Sequence, residues 1–101
     1  MRRFDLIIND SASNDIRSLV DFITNINTPE SGVNYAMKLI HSINSLRNCA
    51  GSIRYSPYQT AKSIHPQAKT LSIMKHRWTV VFHIDGDYVI VDRILPSSSI
   101  A

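Results

Sequence analysis

An Asp-Gly pair at positions 85 and 86 lies between two runs of apolar residues, and it constrains the fold more than any other feature of this sequence. Asp and Gly tolerate the positive φ angles that a two-residue hairpin turn requires. The flanking segments, RWTVVFHI and DYVIVDRIL, are rich in β-branched and aromatic residues, so they predict two antiparallel strands. In the first of them the even positions 78–84 share one apolar face, while Val81 lies on the other. This pattern predicts a central strand that is covered on both faces.

The N-terminal half predicts one strand and two helices. FDLIIN alternates with period two, as a short strand does. Apolar residues then recur at helical spacing from Ile16 to Ile26, after the capping residues of SASND. A second helix can be capped by Thr28, with Pro29 in its first position, and its apolar face runs from Val33 to Leu46. We expect it to end near Gly51 in a left-handed cap and to form an antiparallel hairpin with the first helix.

The remaining segments complete the predicted order of elements. Residues 52–68 show no clear period and predict a loop with one turn of helix, and KTLSIMK predicts another strand. The fold class is therefore α+β: an N-terminal strand and an antiparallel helical hairpin packed on an antiparallel sheet that three C-terminal strands complete. With 101 residues, we expect a single domain spanning residues 1–101.

Charge is unevenly distributed along the chain. The net charge is +3, yet no acidic residue occurs between Ser31 and Ile84, where seven lysines and arginines fall. Such segregation can attract nucleic acid or an acidic protein partner. The alternative, a basic face that is merely solvated, accounts for the same pattern.

Several classes of protein are disfavoured. No apolar run approaches the roughly 18–20 residues that cross a bilayer, and the N-terminus lacks the pattern of a secretory signal. We therefore expect a cytoplasmic protein with no membrane partner. Cys49 is the single cysteine and the four histidines lack zinc-site spacing, so we expect no metal and no cofactor.

In their order, FDLIINDSASNDIRSLVDFI, GVNYAMKLIHSINSL, the RYSPY region and HRWTVVFHIDGDYVIVDRI resemble the RelE/ParE toxin superfamily of bacterial type II toxin–antitoxin systems, and more closely its ParE branch. The resemblance covers nearly the whole chain. It implies a small basic toxin that a cognate antitoxin wraps and neutralises. We expect the antitoxin to bind between the helical hairpin and a sheet edge, and a homodimer or a 2:2 toxin–antitoxin complex is compatible with this.

The resemblance leaves two chemistries open. RelE-like members cleave messenger RNA on the ribosome, using an arginine early in the third strand and an arginine and a tyrosine near the C-terminus. Thr79 stands where the first arginine is expected, and PSSSIA offers only a proline and hydroxyls at the end. Neutral hydroxyls stabilise phosphorane charge poorly, which disfavours cleavage. A nuclease of this sequence would need an atypical basic set, for which the candidates are Lys69, Lys75, His76, Arg77 and Arg93.

ParE-like members inhibit DNA gyrase by binding, so the resemblance requires no catalytic residues. The target-binding surface is expected on the terminal hairpin, the C-terminal segment and the adjacent basic loop. Its candidate residues are Arg54, Lys75, Arg77, Arg93, Leu95, Pro96 and Ser97. We expect that replacing Arg93 and deleting residues 96–101 abolish toxicity and leave the fold intact. An inactive member that keeps only antitoxin binding is the third alternative.

Overall fold

The computed structural model describes residues 3–100, which form one four-stranded sheet with two long helices packed on one face. The helices are α1 (Asp10–Ile26), α2 (Pro29–Asn44), α3 (Leu46–Cys49) and α4 (Gln59–Ile64), and the strands are β1 (Asp5–Ile8), β2 (Lys69–Ile73), β3 (Trp78–Asp85) and β4 (Tyr88–Pro96). Short 3₁₀ turns lie at Ala50–Ser52 and Ser97–Ser99. The predicted α+β order is confirmed, including one helical turn within residues 52–68.

Side-chain caps set where the two long helices begin. The Asn9 side chain accepts a hydrogen bond of 3.0 Å from the Ala12 N–H, so α1 begins before the SASND segment that was expected to cap it. Thr28 caps α2 as predicted, accepting 3.2 Å from the Ser31 N–H, and Pro29 takes the first helical position. Only two residues separate the helices, which forces the antiparallel hairpin.

The predicted end of α2 near Gly51 is wrong. The helix ends at Asn44, and the chain turns at Ser45 into the short helix α3. Because Leu46 and Ala50 are fully buried, the apolar pattern continues through this break and hides it. Gly51 lies in a 3₁₀ turn and lacks the positive φ of a left-handed cap.

The expected antiparallel sheet is mixed. Its order is β1-β4-β3-β2, with β1 parallel to β4 and the other two pairs antiparallel. Alternation in a four-residue strand does not encode its direction, because parallel and antiparallel strands give the same alternation of side chains between the two faces. The predicted β3–β4 hairpin is confirmed, with Asp85 paired to Tyr88 around Gly86, whose φ is 60°.

We expect Gly86→Ala to lower the free energy of unfolding by about 1 kcal/mol, because a Cβ is disfavoured at this positive φ. Urea unfolding followed by circular dichroism measures the change. Gly51→Ala is the matched control, since a Cβ there meets Phe4 at an ordinary 3.6 Å and needs no positive φ. Equal effects of the two substitutions would contradict this account of the turn.

Two cores flank the sheet. The larger lies between the helices and the sheet and includes Leu39, Ile43 and Phe82, all fully buried. On the opposite face a smaller cluster joins Ala61, Ala68, Val81 and Ile100. The prediction that β3 is covered on both faces is therefore confirmed. Between residues 3 and 100, every helix is too short or too polar to traverse a lipid bilayer.

Candidate functional site

The β2–β3 turn and the end of β4 meet at one end of the sheet. Trp78 pairs with Pro96, and the Ser97 N–H donates a 3.0 Å hydrogen bond to the Arg77 carbonyl oxygen. Five of the seven residues predicted for target binding are thereby brought together: Lys75, Arg77, Leu95, Pro96 and Ser97. With Trp78 they form what we call the sheet-end surface.

The turn that carries two of these residues has an unusual backbone. Met74, Lys75 and His76 have φ angles of 52°, 57° and 65°, so three consecutive residues other than glycine are left-handed. Each such residue costs about 1–2 kcal/mol, which the surrounding contacts must offset. A hydrogen bond of 3.3 Å from the Arg77 N–H to the Met74 carbonyl oxygen closes the turn. The turn thus presents Lys75, His76 and Arg77 as exposed side chains.

Trp78 lies between two grooves. Its indole N–H donates a 2.7 Å hydrogen bond to the Tyr35 hydroxyl, and its ring packs against the main core, so the core-packing role expected for it is confirmed. Toward α1 it lines a groove of about 250 Å³ with Phe22, Leu95 and Pro96. Toward α2 lies a second groove, of about 480 Å³. The sheet-end surface therefore combines aromatic, apolar and cationic groups.

Arg93 is held by an internal partner. Its Nε and Nη2 donate to the two carboxylate oxygens of Asp15 at 2.7 and 3.0 Å, and the Ile94 N–H donates to the same carboxylate at 2.9 Å. These hydrogen bonds raise the pKa of Arg93 above its ordinary value; burial opposes the rise, and the Coulombic attraction of Asp15 adds to it. The Arg93 guanidinium therefore connects β4 with α1, which is a structural role. Its part in target binding stays a prediction.

Two other predicted residues lie apart from the sheet end. Lys69 is buried, donates 3.3 Å to the Ala50 carbonyl oxygen and lies 5.3 Å from the centre of the Tyr55 ring. Arg54 is exposed and precedes Tyr55, whose backbone forms an isolated antiparallel β-bridge with Lys69. Because Lys69 pairs with Phe82, four residues along β3 from Trp78, this region is roughly 13 Å from the sheet end. The five candidate residues of a nuclease therefore do not converge on one point.

The C-terminal segment is docked on the sheet. Ser97 Oγ lies 2.9 Å from Thr79 Oγ1, and Ile100 is buried in the smaller core. The position of the first expected nuclease arginine, Thr79, thus lies next to the segment expected to carry the other catalytic groups, and neutral hydroxyls meet there. Deleting residues 96–101 would remove Ile100 from its core, so the expectation that this deletion leaves the fold intact does not agree with the packing.

A polar cluster that the sequence did not reveal lies on the face of the sheet that carries the smaller core. His83 Nδ1 is 2.6 Å from Asp92 Oδ2, Asn9 donates 3.1 Å to Asp92 Oδ1, and the His65 ring stacks on His83 at 3.7 Å. A bulge in β4 places Asp92 there. These residues are too far apart in sequence to form a motif. Across residues 3–100, no three His, Cys, Asp or Glu side chains form a group that could hold a metal.

The outer face of α2 carries an exposed apolar stripe, formed by Val33, Met37 and Ile40. Their exposed fractions are 59%, 67% and 43%. The periodicity of the sequence places these three residues on the same face as Ile43 and Leu46. In the structure, Leu39, Ile43 and Leu46 are buried in the core, whereas the three residues of the stripe are exposed. Apolar side chains this exposed, three along one helix, are typical of a surface that a partner covers.

Comparison with known proteins identifies a fold but no sequence family. No family model matches the chain, and no curated protein does. A solved chain described as "Chromosomal ParDE TA system from P. aeruginosa" superimposes with a TM-score of 0.79 at 17% identity, covering 93% of this chain and 96% of that one. The fold expected from the resemblance to the RelE/ParE superfamily is thus confirmed across nearly the whole chain.

Proposed function

We propose that this chain is the toxin of a type II toxin–antitoxin system, and that it acts by binding its target rather than by catalysis. One observation carries the mode of action. Thr79 stands where the RNA-cleaving branch is expected to hold an arginine, and Ser97 belongs to the segment where it is expected to hold an arginine and a tyrosine. The two residues instead form a hydrogen bond between uncharged hydroxyls. The fold that this chain shares with a ParDE chain supports the assignment to the class.

The target we propose is DNA gyrase, bound at the sheet-end surface. Tryptophan and arginine are enriched among residues that dominate the energy of protein interfaces, and here Trp78 and Arg77 are neighbours. Leu95 and Pro96 supply an apolar rim beside the groove that Phe22 lines. A rigid sheet end of this composition provides a binding surface that needs no acid or base. Gyrase acts on DNA in the cytoplasm, which is where this function places the chain.

The partner that neutralises the toxin is a cognate antitoxin, for which we propose the apolar stripe of α2 as a docking surface. Val33, Met37 and Ile40 recur at the spacing that a helix presents to another helix or to an extended segment. The stripe faces away from the core, so a partner can cover it without unfolding the toxin. One antitoxin segment on each toxin gives a 1:1 unit, and pairing of two such units gives a 2:2 complex.

A supercoiling and DNA-cleavage assay with purified gyrase tests the proposal. We expect the antitoxin-free chain to block supercoiling and to accumulate linear DNA as its concentration rises. Arg77→Glu should weaken this inhibition at least tenfold, because it reverses a charge in the centre of the sheet-end surface.

The matched control is Arg17→Glu, an equal charge reversal at an exposed position of α1. We expect it to inhibit gyrase as the unmodified chain does. If the folded chain leaves gyrase unaffected, the gyrase assignment is wrong, and ribosome-bound messenger RNA is the next substrate to test.

A further inference from the structure

The groove between α2 and the β2–β3 turn gathers three exposed cations around an apolar floor. Its volume is about 480 Å³, and the half-buried side chains of Tyr35 and Met74 line its floor. Lys38 of α2 and the turn residues Lys75 and Arg77 surround this floor with exposed side chains. We call this site the cationic groove.

The three charges of the cationic groove are uncompensated. The sequence has no Asp or Glu between Ser31 and Ile84. Within residues 3–100, the carboxylates that form ion pairs engage other side chains, as Asp15 engages Arg93, and none of them reaches a cation of the groove. A concave site lined by one sign of charge concentrates ligands of the opposite sign, so the groove attracts anions.

The backbone that carries these cations is ordered. The Arg77 N–H donates 3.3 Å to the Met74 carbonyl oxygen and closes the turn, and the Trp78 indole donates 2.7 Å to the Tyr35 hydroxyl. Both sides of the groove therefore rest on fixed elements. An anion can bind there without a rearrangement of the fold.

We propose that the cationic groove binds the phosphate backbone of the duplex DNA on which gyrase acts, while the sheet-end surface contacts gyrase itself. The inference rests on the proposed function and names a second component of the target. Lys75 and Arg77 belong to both the groove and the sheet-end surface, so DNA held by gyrase approaches the groove from the same side as the enzyme. A chain that contacts both holds cleaved DNA in place, which accounts for the linear DNA that we expect to accumulate.

The groove fits duplex DNA better than a single strand or RNA. Single strands bind where exposed aromatic rings offer faces on which bases stack, whereas here Trp78 is packed in the core and hydrogen-bonded to Tyr35. The backbone of DNA alternates phosphates, which suit the cations, with deoxyribose, whose C–H groups suit the apolar floor. The 2′-hydroxyl of RNA would instead meet the thioether of Met74, a weak acceptor.

Fluorescence anisotropy with a labelled duplex of about 20 base pairs tests the groove without gyrase. Each phosphate contact contributes about −0.9 to the slope of log K against log salt concentration, so three contacts should give a slope of about −2.7 between about 50 and 200 mM KCl. K75Q/R77Q removes two of the contacts and should bring the slope to about −0.9, with binding at least tenfold weaker at the lower salt concentration. R54Q/K62Q, the same change of charge at exposed positions elsewhere, should keep the slope and the affinity of the unmodified chain.

Lys38 separates the contact with DNA from the contact with gyrase, because it lines the cationic groove and lies outside the sheet-end surface. We expect Lys38→Glu to bind DNA-free gyrase as the unmodified chain does. At equal occupancy of gyrase it should accumulate about tenfold less linear DNA, since a carboxylate then faces the phosphates. Lys62→Glu, an equal charge reversal at an exposed position of α4, is the control and should match the unmodified chain in both measurements.

The two experiments separate the groove assignment from the gyrase assignment. Equal salt slopes for the unmodified chain and K75Q/R77Q overturn the groove assignment, as does tighter binding of an RNA duplex or of a single strand of the same length. A fall in linear DNA with Lys38→Glu that only follows a loss of gyrase binding overturns the role of the DNA contact in trapping. Groove-dependent binding of the duplex by a chain that never inhibits gyrase overturns the gyrase assignment alone.

Discussion

Replacing Asp15 with alanine is expected to lower the free energy of unfolding by about 3 kcal/mol, among the largest effects for a side chain outside the apolar core. The carboxylate accepts three hydrogen bonds, two from the Arg93 guanidinium and one from the Ile94 N–H. Ile94 is 3% exposed, so its N–H loses its partner without gaining water. The Arg93 side chain is 40% exposed, so water can replace its hydrogen bonds to Asp15, and their loss contributes less to the change in the free energy of unfolding.

Thermal and urea unfolding measure this effect, and the melting temperature should fall by roughly 15 °C for a domain of this size. Asp21→Ala, the same substitution at an exposed position of the same helix, should change the melting temperature little. Arg93→Met should cost less than Asp15→Ala, because it leaves the Asp15–Ile94 hydrogen bond in place. Equal losses from Asp15→Ala and Asp21→Ala would show that the carboxylate does not connect α1 with β4.

If the proposed function holds, replacing Met37 with glutamate is expected to weaken binding of the proposed antitoxin about 100-fold while leaving the chain folded. Met37 is 67% exposed, at the centre of the apolar stripe, so the substitution removes no core contact. In the complex a carboxylate would be buried against apolar side chains without a partner, which is costly. Calorimetric titration of the chain with the proposed antitoxin measures the change.

The control for Met37→Glu is Gln59→Glu, which adds the same charge at an exposed position of α4, the helix whose Ala61 packs on the opposite face of the sheet. It should bind the antitoxin as the unmodified chain does. Both variants should keep the unfolding midpoint of the parent. Unaltered antitoxin affinity of Met37→Glu would place the antitoxin on another surface.

Local signals in the sequence predicted most of the fold. The Asp-Gly turn fixed the β3–β4 hairpin, and Thr28 with Pro29 fixed the start of α2, because each signal acts through its own backbone. The direction of β1 and the end of α2 were missed, since both depend on contacts between distant parts of the chain. Strand direction leaves no mark on a four-residue alternation, and Leu46 continues the apolar period across the break at Ser45.

The candidate site was predicted in part for a related reason. Lys75 and Arg77 fall in one turn, and Leu95 to Ser97 follow one strand, so hairpin pairing alone brings them together. Arg93 lines the groove that Trp78, Leu95 and Pro96 also line, but sequence reasoning could not show that Asp15, 78 residues earlier, accepts its hydrogen bonds. The same holds for His83 and Asp92, whose link to Asn9 spans 83 positions.

The parallel pairing of β1 with β4 joins residues 5–8 to residues 88–91, nearly the two extremes of the chain. During translation the sheet therefore stays incomplete until the last strand is available, whereas the contacts between α1 and α2 lie within the first 44 residues. Short-range contacts form faster than pairings between distant segments. A growing chain consequently exposes Val33, Met37 and Ile40 before Trp78 and Pro96 can pair. The surface proposed to bind the antitoxin therefore forms during synthesis earlier than the surface proposed to bind gyrase.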